Sequence, residues 1–341
     1  MTPEIQSTQY FDPGYIEALK QNAKIANLTP IDFVVKKMLK NSLKAINEHR
    51  DKDSFDWIYP LSKDFSTIDR SIKANTLTFT YASHESKGVR PHMEDVHFIA
   101  EKKEGLLVGL FDGHGGSEVA NFASNYVKAH FFATLEECEG NVYTAFNLLL
   151  KGLDQKVKEN QTWNKMGTTS LICFIDNKTH VIYTATLGDS EANIYRTENL
   201  AAKSIPLSCI RDWSCKKEKA RAKDTKGKIV DKNLNPYKVY PKAIVYEYNR
   251  LCINVSRAIG DKEVNGDREI AISCKPKVTM HQIKPNDLII LACDGLKDYV
   301  SESEILHTVE GDPKKVAENL VKKALIYKSQ DNISLVVIKI T

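Results

Sequence analysis

From residue 77 onward, short apolar runs separated by turn residues predict a chain built largely from β-strands. Residues 77–83 alternate between apolar and polar positions, and residues 170–175 are apolar almost throughout, which predicts a strand in each segment. An Asp176-Asn177 turn joins that run to the next one, as in a hairpin. The predicted strands lie at 77–83, 96–100, 105–111, 167–176, 180–187, 191–196, 250–255, 287–293 and 333–340.

Helical periodicity fills the gaps between these strands. Val119, Phe122, Ala123 and Tyr126 recur at the spacing of one helix face, and similar patterns cover residues 142–160 and 313–328. Because the strands come in hairpin-like pairs and the helices lie between them, the pattern favours antiparallel sheets covered by helices over alternating βαβ units. The expected fold class is therefore α+β.

The first 75 residues have a different texture. They show helical spacing behind Thr29-Pro30, with no strand pattern. We therefore predict a helical N-terminal extension at 1–75 and a main domain at 76–341. The extension either packs against the main domain or docks a partner or substrate.

Composition and charge remove several classes of protein. The 341 residues are 42% hydrophobic and 27% charged, as in soluble globular proteins, and a net charge of +4 is too balanced for a nucleic-acid-binding protein. No apolar run approaches the ~18 residues of a membrane span, and the N-terminus lacks the pattern of a signal peptide. Seven cysteines without a CxxC pair indicate a reducing compartment. A cytoplasmic monomer is expected.

One segment is strongly basic. Residues 203–232 contain ten Lys/Arg and four acids, a local net charge of +6, so the rest of the chain carries −2. Such a run is commonly a solvated surface, but it could also face an anionic substrate or partner.

Acidic residues stand where buried strands end. Asp112, Asp189 and Asp294 follow apolar runs, and Asp331 precedes the last run. An isolated Asp-Gly pair is usually only a turn. Four such acids on rigid elements, however, make a plausible site for a hard cation such as Mg²⁺ or Mn²⁺, which prefers oxygen ligands.

The segment Gly88-Val89-Arg90-Pro91-His92-Met93-Glu94-Asp95 adds an arginine and two acids. Arg90 could hold a phosphate through two hydrogen bonds, or it could be an ordinary surface arginine. Glu94 and Asp95 could order waters bound to a metal.

Together these segments resemble the metal-dependent protein phosphatase family of the 2C type, over residues 77–341. Seven motifs occur in family order: GVRPHMED, LFDGHGG, GTTS, LGDS, VSRAIGD, LIILACDGLKD and SQDNIS. The resemblance implies an α-β-β-α sandwich of two antiparallel sheets and a two-metal site that binds Mg²⁺ or Mn²⁺.

The resemblance also implies roles for individual residues. Asp112 would bridge both metals, the Gly113 carbonyl would be a ligand, and Asp294 and Asp331 would complete the protein ligands. Glu94 and Asp95 would act through water, and Asp189 and Asp298 would hold a third, weaker metal. The basic run would belong to a flap at 203–245.

The implied activity is hydrolysis of phosphoserine and phosphothreonine in proteins by a metal-activated water. Arg90 would bind the phosphate, and His114 would protonate the leaving oxygen. His92 and His97 are rival candidates for the acid. Glu191, Lys297 and Gln330 stand where the family usually has Arg, Trp and Arg, which leaves substrate selection open. The alternatives are a pseudophosphatase that acts as a binding or scaffold protein, and a hydrolase of small phosphorylated molecules.

Overall fold

The structure, a computed structural model, describes residues 77–198, 201–223, 225, 227–233, 242–248, 251–265 and 271–341. The predicted helical extension at 1–75 lies outside the described residues, so its structure and role stay predictions. Among the described residues, no helix has the length and hydropathy needed to cross a membrane.

Two five-stranded antiparallel sheets form the body of the domain. The first has the order β1 (Phe79–Ser86), β16 (Ile333–Ile340), β15 (Leu288–Ala292), β8 (Glu191–Glu198) and β9 (Ala201–Pro206). The second has the order β14 (Lys277–Gln282), β7 (Val181–Leu187), β6 (Ser170–Asp176), β3 (Gly105–Phe111) and β2 (Val96–Lys102).

Two smaller sheets and seven α-helices complete the described part. The small sheets have the orders β13 (Ile259–Gly260), β5 (Gly167–Thr168), β4 (Gly113–His114) and β10 (Lys228–Asn233), β11 (Lys242–Tyr248), β12 (Leu251–Ile253). The helices are α1 (Glu118–Glu137), α2 (Val142–Glu159), α3 (Lys216–Ala222), α4 (Lys262–Asn265), α5 (Asp294–Lys297), α6 (Glu302–Leu306) and α7 (Pro313–Ile326).

Local signals in the sequence set where the longer helices begin. The Asn141 side chain accepts a hydrogen bond from the Thr144 N–H at 3.0 Å and caps α2. Asp312 caps α7, and Pro313 occupies its first turn, where a missing N–H costs nothing.

The alternation of side chains along β16 explains the layering. Val336, Ile338 and Ile340 pack between the two sheets, whereas Leu335 and Val337 pack on the opposite face against α7. The outer face of the second sheet is covered by α1 and α2 through a separate buried cluster. The order of layers is helix, sheet, sheet, helix, which confirms the predicted α-β-β-α sandwich.

The described part of the predicted flap is divided between two regions. Lys203 lies on β9, which belongs to the first large sheet, whereas the residues after it form a small unit with its own core. In that core Trp213 is fully buried, stacks on Tyr246 at 5.4 Å between ring centroids, and donates from Nε1 to the Ile253 carbonyl at 3.0 Å.

Candidate active site

Asp112 is fixed by the small sheet that follows β3. Its N–H donates to Thr169 Oγ1 at 3.1 Å, and its carbonyl accepts from the Thr169 N–H at 2.9 Å and from Thr168 Oγ1 at 3.1 Å. Gly113 and His114 form β4, which pairs with Gly167 and Thr168 of β5. The GTTS motif therefore holds the backbone that presents Asp112.

Asp294 and Asp331 approach each other because Gly295 has no side chain. A Cβ on Gly295 would lie 1.8 Å from the Asn332 carbonyl oxygen, closer than any real contact allows. Asp294 begins α5 directly after β15, and Asp331 precedes β16, the strand paired with β15. The glycine thus lets the turns that carry the two acids pack together.

Asn332 ties the loop that carries Arg90 to the same place. Its Oδ1 accepts from the Glu94 N–H at 2.8 Å, and its Nδ2 donates to the carbonyls of Lys87 and His92, each at 3.0 Å. Asn332 is buried, so these bonds are shielded from water. They place Glu94 and Asp95 beside Asp331.

The electrostatics show that the predicted acids converge. The pKa of Asp112 is raised well above its usual value, first by burial and then by the charges of Asp95, Asp294, Asp189 and Asp331. Burial and the charge of Asp331 also raise the pKa of Asp95 to about 6. Acids that repel each other in a buried place are the arrangement that a bound cation stabilises.

The donor set fits a metal that keeps part of its water shell. Among the described residues, no group of three or more His, Cys, Asp or Glu side chains is already arranged to hold a metal ion. Mg²⁺ is usually bound through only one or two carboxylates together with waters, so an open acidic cluster suits it. Asp95 Oδ2 is buried and has no hydrogen-bond partner among the described residues, which leaves it available to a bound water.

Arg90 lies at the rim of this cluster. Its guanidinium donates to Asp331 Oδ2 at 2.8 Å and to the Gln330 carbonyl at 3.0 Å, and 46% of its side chain is exposed. A phosphate arriving from solvent would therefore meet Arg90 next to a predicted metal ligand. Gln330, one of the departures from the family pattern, contributes its backbone here.

His114 contacts Asp261, a residue that the sequence motifs contained but to which we assigned no role. The distance from His114 Nε2 to Asp261 Oδ1 is 2.8 Å; the histidine side chain is 33% exposed and the aspartate 2%. Although burial alone would lower the pKa of His114, the charge and hydrogen bond of Asp261 raise it above the usual value. The missed signal is again an acid directly after a buried strand, here Asp261 after Ile259–Gly260.

The backbone around this pair is tightly constrained. Asp261 adopts a left-handed φ of +52°, which is unfavourable for a residue with a side chain. A Cβ on Gly167 would lie 2.5 Å from both His114 Nε2 and Asp261 Oδ2. The closely packed strands therefore leave room for the histidine–aspartate contact only because residue 167 is glycine.

The rival histidines make other contacts, whereas Asp189, an acid of the predicted third site, belongs to the acidic cluster around Asp112. His97 lies on β2 with Nδ1 3.3 Å from Glu85, and His92 takes part through its carbonyl. Asp189 accepts a hydrogen bond from Asn254 at 3.3 Å, and Asp298 follows α5, with its N–H bonded to the Asp294 carbonyl at 2.8 Å. The third metal site stays a prediction.

Two of the departures from the family pattern are partners in the structure. Lys297 Nζ lies 3.1 Å from Glu191 and 2.7 Å from Glu302, and the lysine side chain is 9% exposed. Burial alone would lower the pKa of Lys297, but Tyr195 and the two carboxylates raise it. The pair joins the start of β8 to the end of α5, the helix that begins with Asp294.

The α-β-β-α sandwich with acids at its strand ends has the fold of the metal-dependent protein phosphatases. A crystal structure of serine-threonine phosphatase 2C from Toxoplasma gondii is similar, with a TM-score of 0.67 and 18% identity over 77% of this chain and 95% of that one. The catalytic domain of serine threonine protein phosphatase PstP, solved with two manganese ions, has a TM-score of 0.51 and 20% identity over 78% of this chain and 100% of that one.

Sequence comparisons agree with the fold. The family profile described as Protein phosphatase 2C matches residues 79–333. A relative from Oryza sativa subsp. japonica, "Probable protein phosphatase 2C 28", is 28% identical over 253 residues, 65% of this chain. The chain spans 61% of that relative's length. The chain belongs to the protein phosphatase 2C family.

Proposed function

We propose that the protein is a serine/threonine protein phosphatase that depends on Mg²⁺ or Mn²⁺. The observation that carries this proposal is the cluster of four acids around Asp112, whose charges raise the pKa of Asp112: Asp95, Asp189, Asp294 and Asp331. Membership of the family and the manganese ions bound to PstP support it.

The metal ligands in this proposal are the carboxylates of Asp112, Asp294 and Asp331 and the carbonyl of Gly113. Two ions bound at this place would supply Lewis acidity and would lower the pKa of a water, which makes that water a better nucleophile toward phosphorus. Glu94 and Asp95 orient waters around the site, and Asp189 and Asp298 are the candidates for a third ion.

The remaining steps belong to the side chains of the chain itself. Arg90 binds the phosphate and orients it, because its two contacts with Asp331 and Gln330 hold the guanidinium at the rim. His114 protonates the leaving serine or threonine oxygen. Because Nε2 of His114 is hydrogen-bonded to Asp261, the proton given to the leaving oxygen comes from Nδ1. Asp261 then holds the neutral imidazole with its remaining proton on Nε2.

We further propose that the substrate is a phosphorylated protein and that the enzyme works in the cytoplasm as a monomer. None of the seven cysteines forms a disulfide bond in the described part of the chain, as expected for a reducing compartment. No nucleic acid takes part in this proposal.

Initial rates on a phosphoserine peptide, with and without Mn²⁺, test the proposal. Hydrolysis only in the presence of the metal is the expected result. Peptide binding without hydrolysis at any Mn²⁺ concentration would instead indicate a pseudophosphatase. Turnover of p-nitrophenyl phosphate together with inert phosphopeptides and phosphoproteins would indicate a hydrolase of small molecules.

A further inference from the structure

A groove lies between helix α3 and strand β10, in the small unit built around Trp213. Its volume is about 630 Å³. One wall is formed by the exposed face of α3 and the other by the first residues of β10. The lining residues are Lys216, Lys219, Ala220, Lys223, Gly227, Lys228, Ile229 and Val230.

The groove combines positive charge with an apolar surface. Lys216 and Lys219 share one face of α3, Lys223 follows at the C-terminal end of the helix with the same spacing, and Lys228 stands opposite on β10. All four side chains are exposed, and none of their amines is paired with an acid of the described part of the chain. Because Ile229 and Val230 are half-buried, the positive rim surrounds an apolar strip.

The acid of α3 is directed away from this rim. Glu218 is 1% exposed and bonds to Arg257 at 2.6 Å and to Arg221 at 2.5 Å, so its charge is already neutralised. The burial of Glu218 also fixes the rotation of α3, because the lysine face must then point away from the core. The lysines are therefore held together on one side of a rigid helix.

Strand β10 offers hydrogen-bonding groups as well as charge. It is at the end of its three-stranded sheet and pairs with β11 on one side only, within the described residues. The groove follows Lys228, Ile229 and Val230 of this strand. An edge strand presents N–H and C=O groups that an extended peptide can pair with, while its alternate side chains reach the walls.

These features favour a peptide over other polyanions. Nucleic acids bound as single strands usually stack on aromatic side chains, and the lining contains none. A membrane surface offers no extended backbone that could pair with the edge of β10. The net charge of −2 on the rest of the chain also disfavours large polyanions.

We propose that this groove binds an acidic, extended segment of the substrate protein, outside the phosphorylated residue itself. The inference rests on the proposed function, since it names the class of phosphoprotein that the enzyme selects. Carboxylates of the segment lie between the lysines of α3 and Lys228, and its backbone adds to β10.

Fluorescence anisotropy with the full chain and an unphosphorylated, labelled peptide of ten residues rich in Glu and Asp tests the binding directly. The triple variant Lys216→Glu, Lys219→Glu and Lys223→Glu should weaken binding more than 10-fold, and Kd of the unmodified protein should rise with salt. A matched control with the same charge change on other helices, Lys128→Glu, Lys315→Glu and Lys322→Glu, should bind within about 2-fold of the unmodified protein. Equal weakening by both triples would overturn the proposal, since only the total charge would then matter.

Two further measurements keep the test decisive if the charge-reversed variant folds poorly. The milder triple Lys→Gln at residues 216, 219 and 223 should also weaken binding, by at least 3-fold. An acidic peptide N-methylated at alternate backbone nitrogens should bind less tightly than its unmethylated form, because pairing with β10 is lost. Equal binding of the two peptides would refute the strand addition, and tighter binding of an oligonucleotide or an anionic vesicle would refute the choice of a peptide.

The same preparations separate this inference from the proposed function. With Mn²⁺, the groove variants should hydrolyse p-nitrophenyl phosphate at the rate of the unmodified protein, while KM for an acidic phosphopeptide rises. If the acidic peptide binds but no phosphopeptide is hydrolysed, the proposed function is contradicted and the proposal of a peptide-binding groove still stands. Hydrolysis of acidic and neutral phosphopeptides with equal KM would contradict the groove and leave the proposed function intact.

Discussion

The contact between His114 and Asp261 predicts that an aspartate with no part in metal binding controls the leaving-group step. The perturbation is Asp261→Asn, which keeps the size of the side chain but removes the charge that holds the Nε2 proton. The Asp261 side chain is almost fully buried, and its Oδ1 lies 2.8 Å from His114 Nε2. The substitution should therefore change the chemistry of the imidazole more than the packing around it.

The size of the effect follows from the kind of bond. A hydrogen bond that involves a charged group contributes about 1.5–3 kcal/mol. At 1.36 kcal/mol per factor of ten, its full loss in the transition state corresponds to a decrease in kcat of roughly 10- to 150-fold. Removing the acid itself by His114→Ala should cost more, about 10²- to 10⁴-fold.

The assay compares two substrates under saturating Mn²⁺. On a phosphoserine peptide, whose leaving oxygen must be protonated, Asp261→Asn should lower kcat by the factor above. On p-nitrophenyl phosphate, whose leaving group is stable as an anion, the loss should be less than about 3-fold. An equal loss on both substrates would refute the reasoning, because Asp261 would then act only on the structure of the site. No loss on either would refute it as well.

Substitutions at three other sites, two of them with a matched comparison, test separate parts of the account. Arg90→Ala should raise KM for a phosphopeptide with a smaller change in kcat. Arg90→Lys should recover little of the lost affinity, since lysine lacks the planar pair of donors. An unchanged KM would exclude Arg90 from phosphate binding. Glu218→Gln leaves Arg221 and Arg257 without their buried acid and should cost about 3–5 kcal/mol, read as faster hydrogen exchange in α3. Burial alone would raise the pKa of Glu218, but Arg257 and Arg221 lower it. The stabilisation by this carboxylate is therefore complete above pH 4.5 and is lost as the pH falls through the lowered pKa. Hydrogen-exchange protection of α3 that does not change over this pH range would contradict the argument. Gly295→Ala should reduce Mn²⁺ affinity in calorimetry at least 10-fold, because its Cβ meets the Asn332 carbonyl. The control Gly152→Ala, in α2, should leave the affinity unchanged. Equal affinities in the two variants would show that the turns carrying Asp294 and Asp331 can separate freely.

The fold was largely predictable because its central strands are apolar on both faces. Runs such as residues 288–292 and 333–340 have no other stable place than between a second sheet and a helix layer. The edge strand β14 was missed because its six residues are all half-buried and polar and apolar types mix within it. Strand β10 was missed because charged residues interrupt its apolar pattern, and β11 because it begins in the segment predicted as a flap, to which no strand was assigned.

The candidate site was predictable where an acid follows a buried strand. Asp112 and Asp294 have that local signature, Asp331 has its mirror image just before a buried strand, and their charges meet in the structure. Asp261 carries a weaker form of it, after a strand of only two residues. The role of Asn332 could not be predicted, because its three bonds depend on a loop 240 residues away in the chain. The pairing of Lys297 with Glu191 could not be predicted either. The two residues are far apart in the sequence, and only the structure shows that the end of α5 contacts the start of β8.

The most direct test of the central claim is a single titration that follows Mn²⁺ binding and phosphopeptide hydrolysis together. The protein is first freed of metal with EDTA and dialysed, and then titrated with Mn²⁺ in a calorimeter while samples are assayed. We predict no hydrolysis before titration, recovery of the rate over the same Mn²⁺ range in which binding occurs, and neither binding nor recovery in Asp112→Asn. Full hydrolysis by the metal-free protein, or a rate in Asp112→Asn equal to that of the unmodified protein, would contradict a metal centre built on these acids.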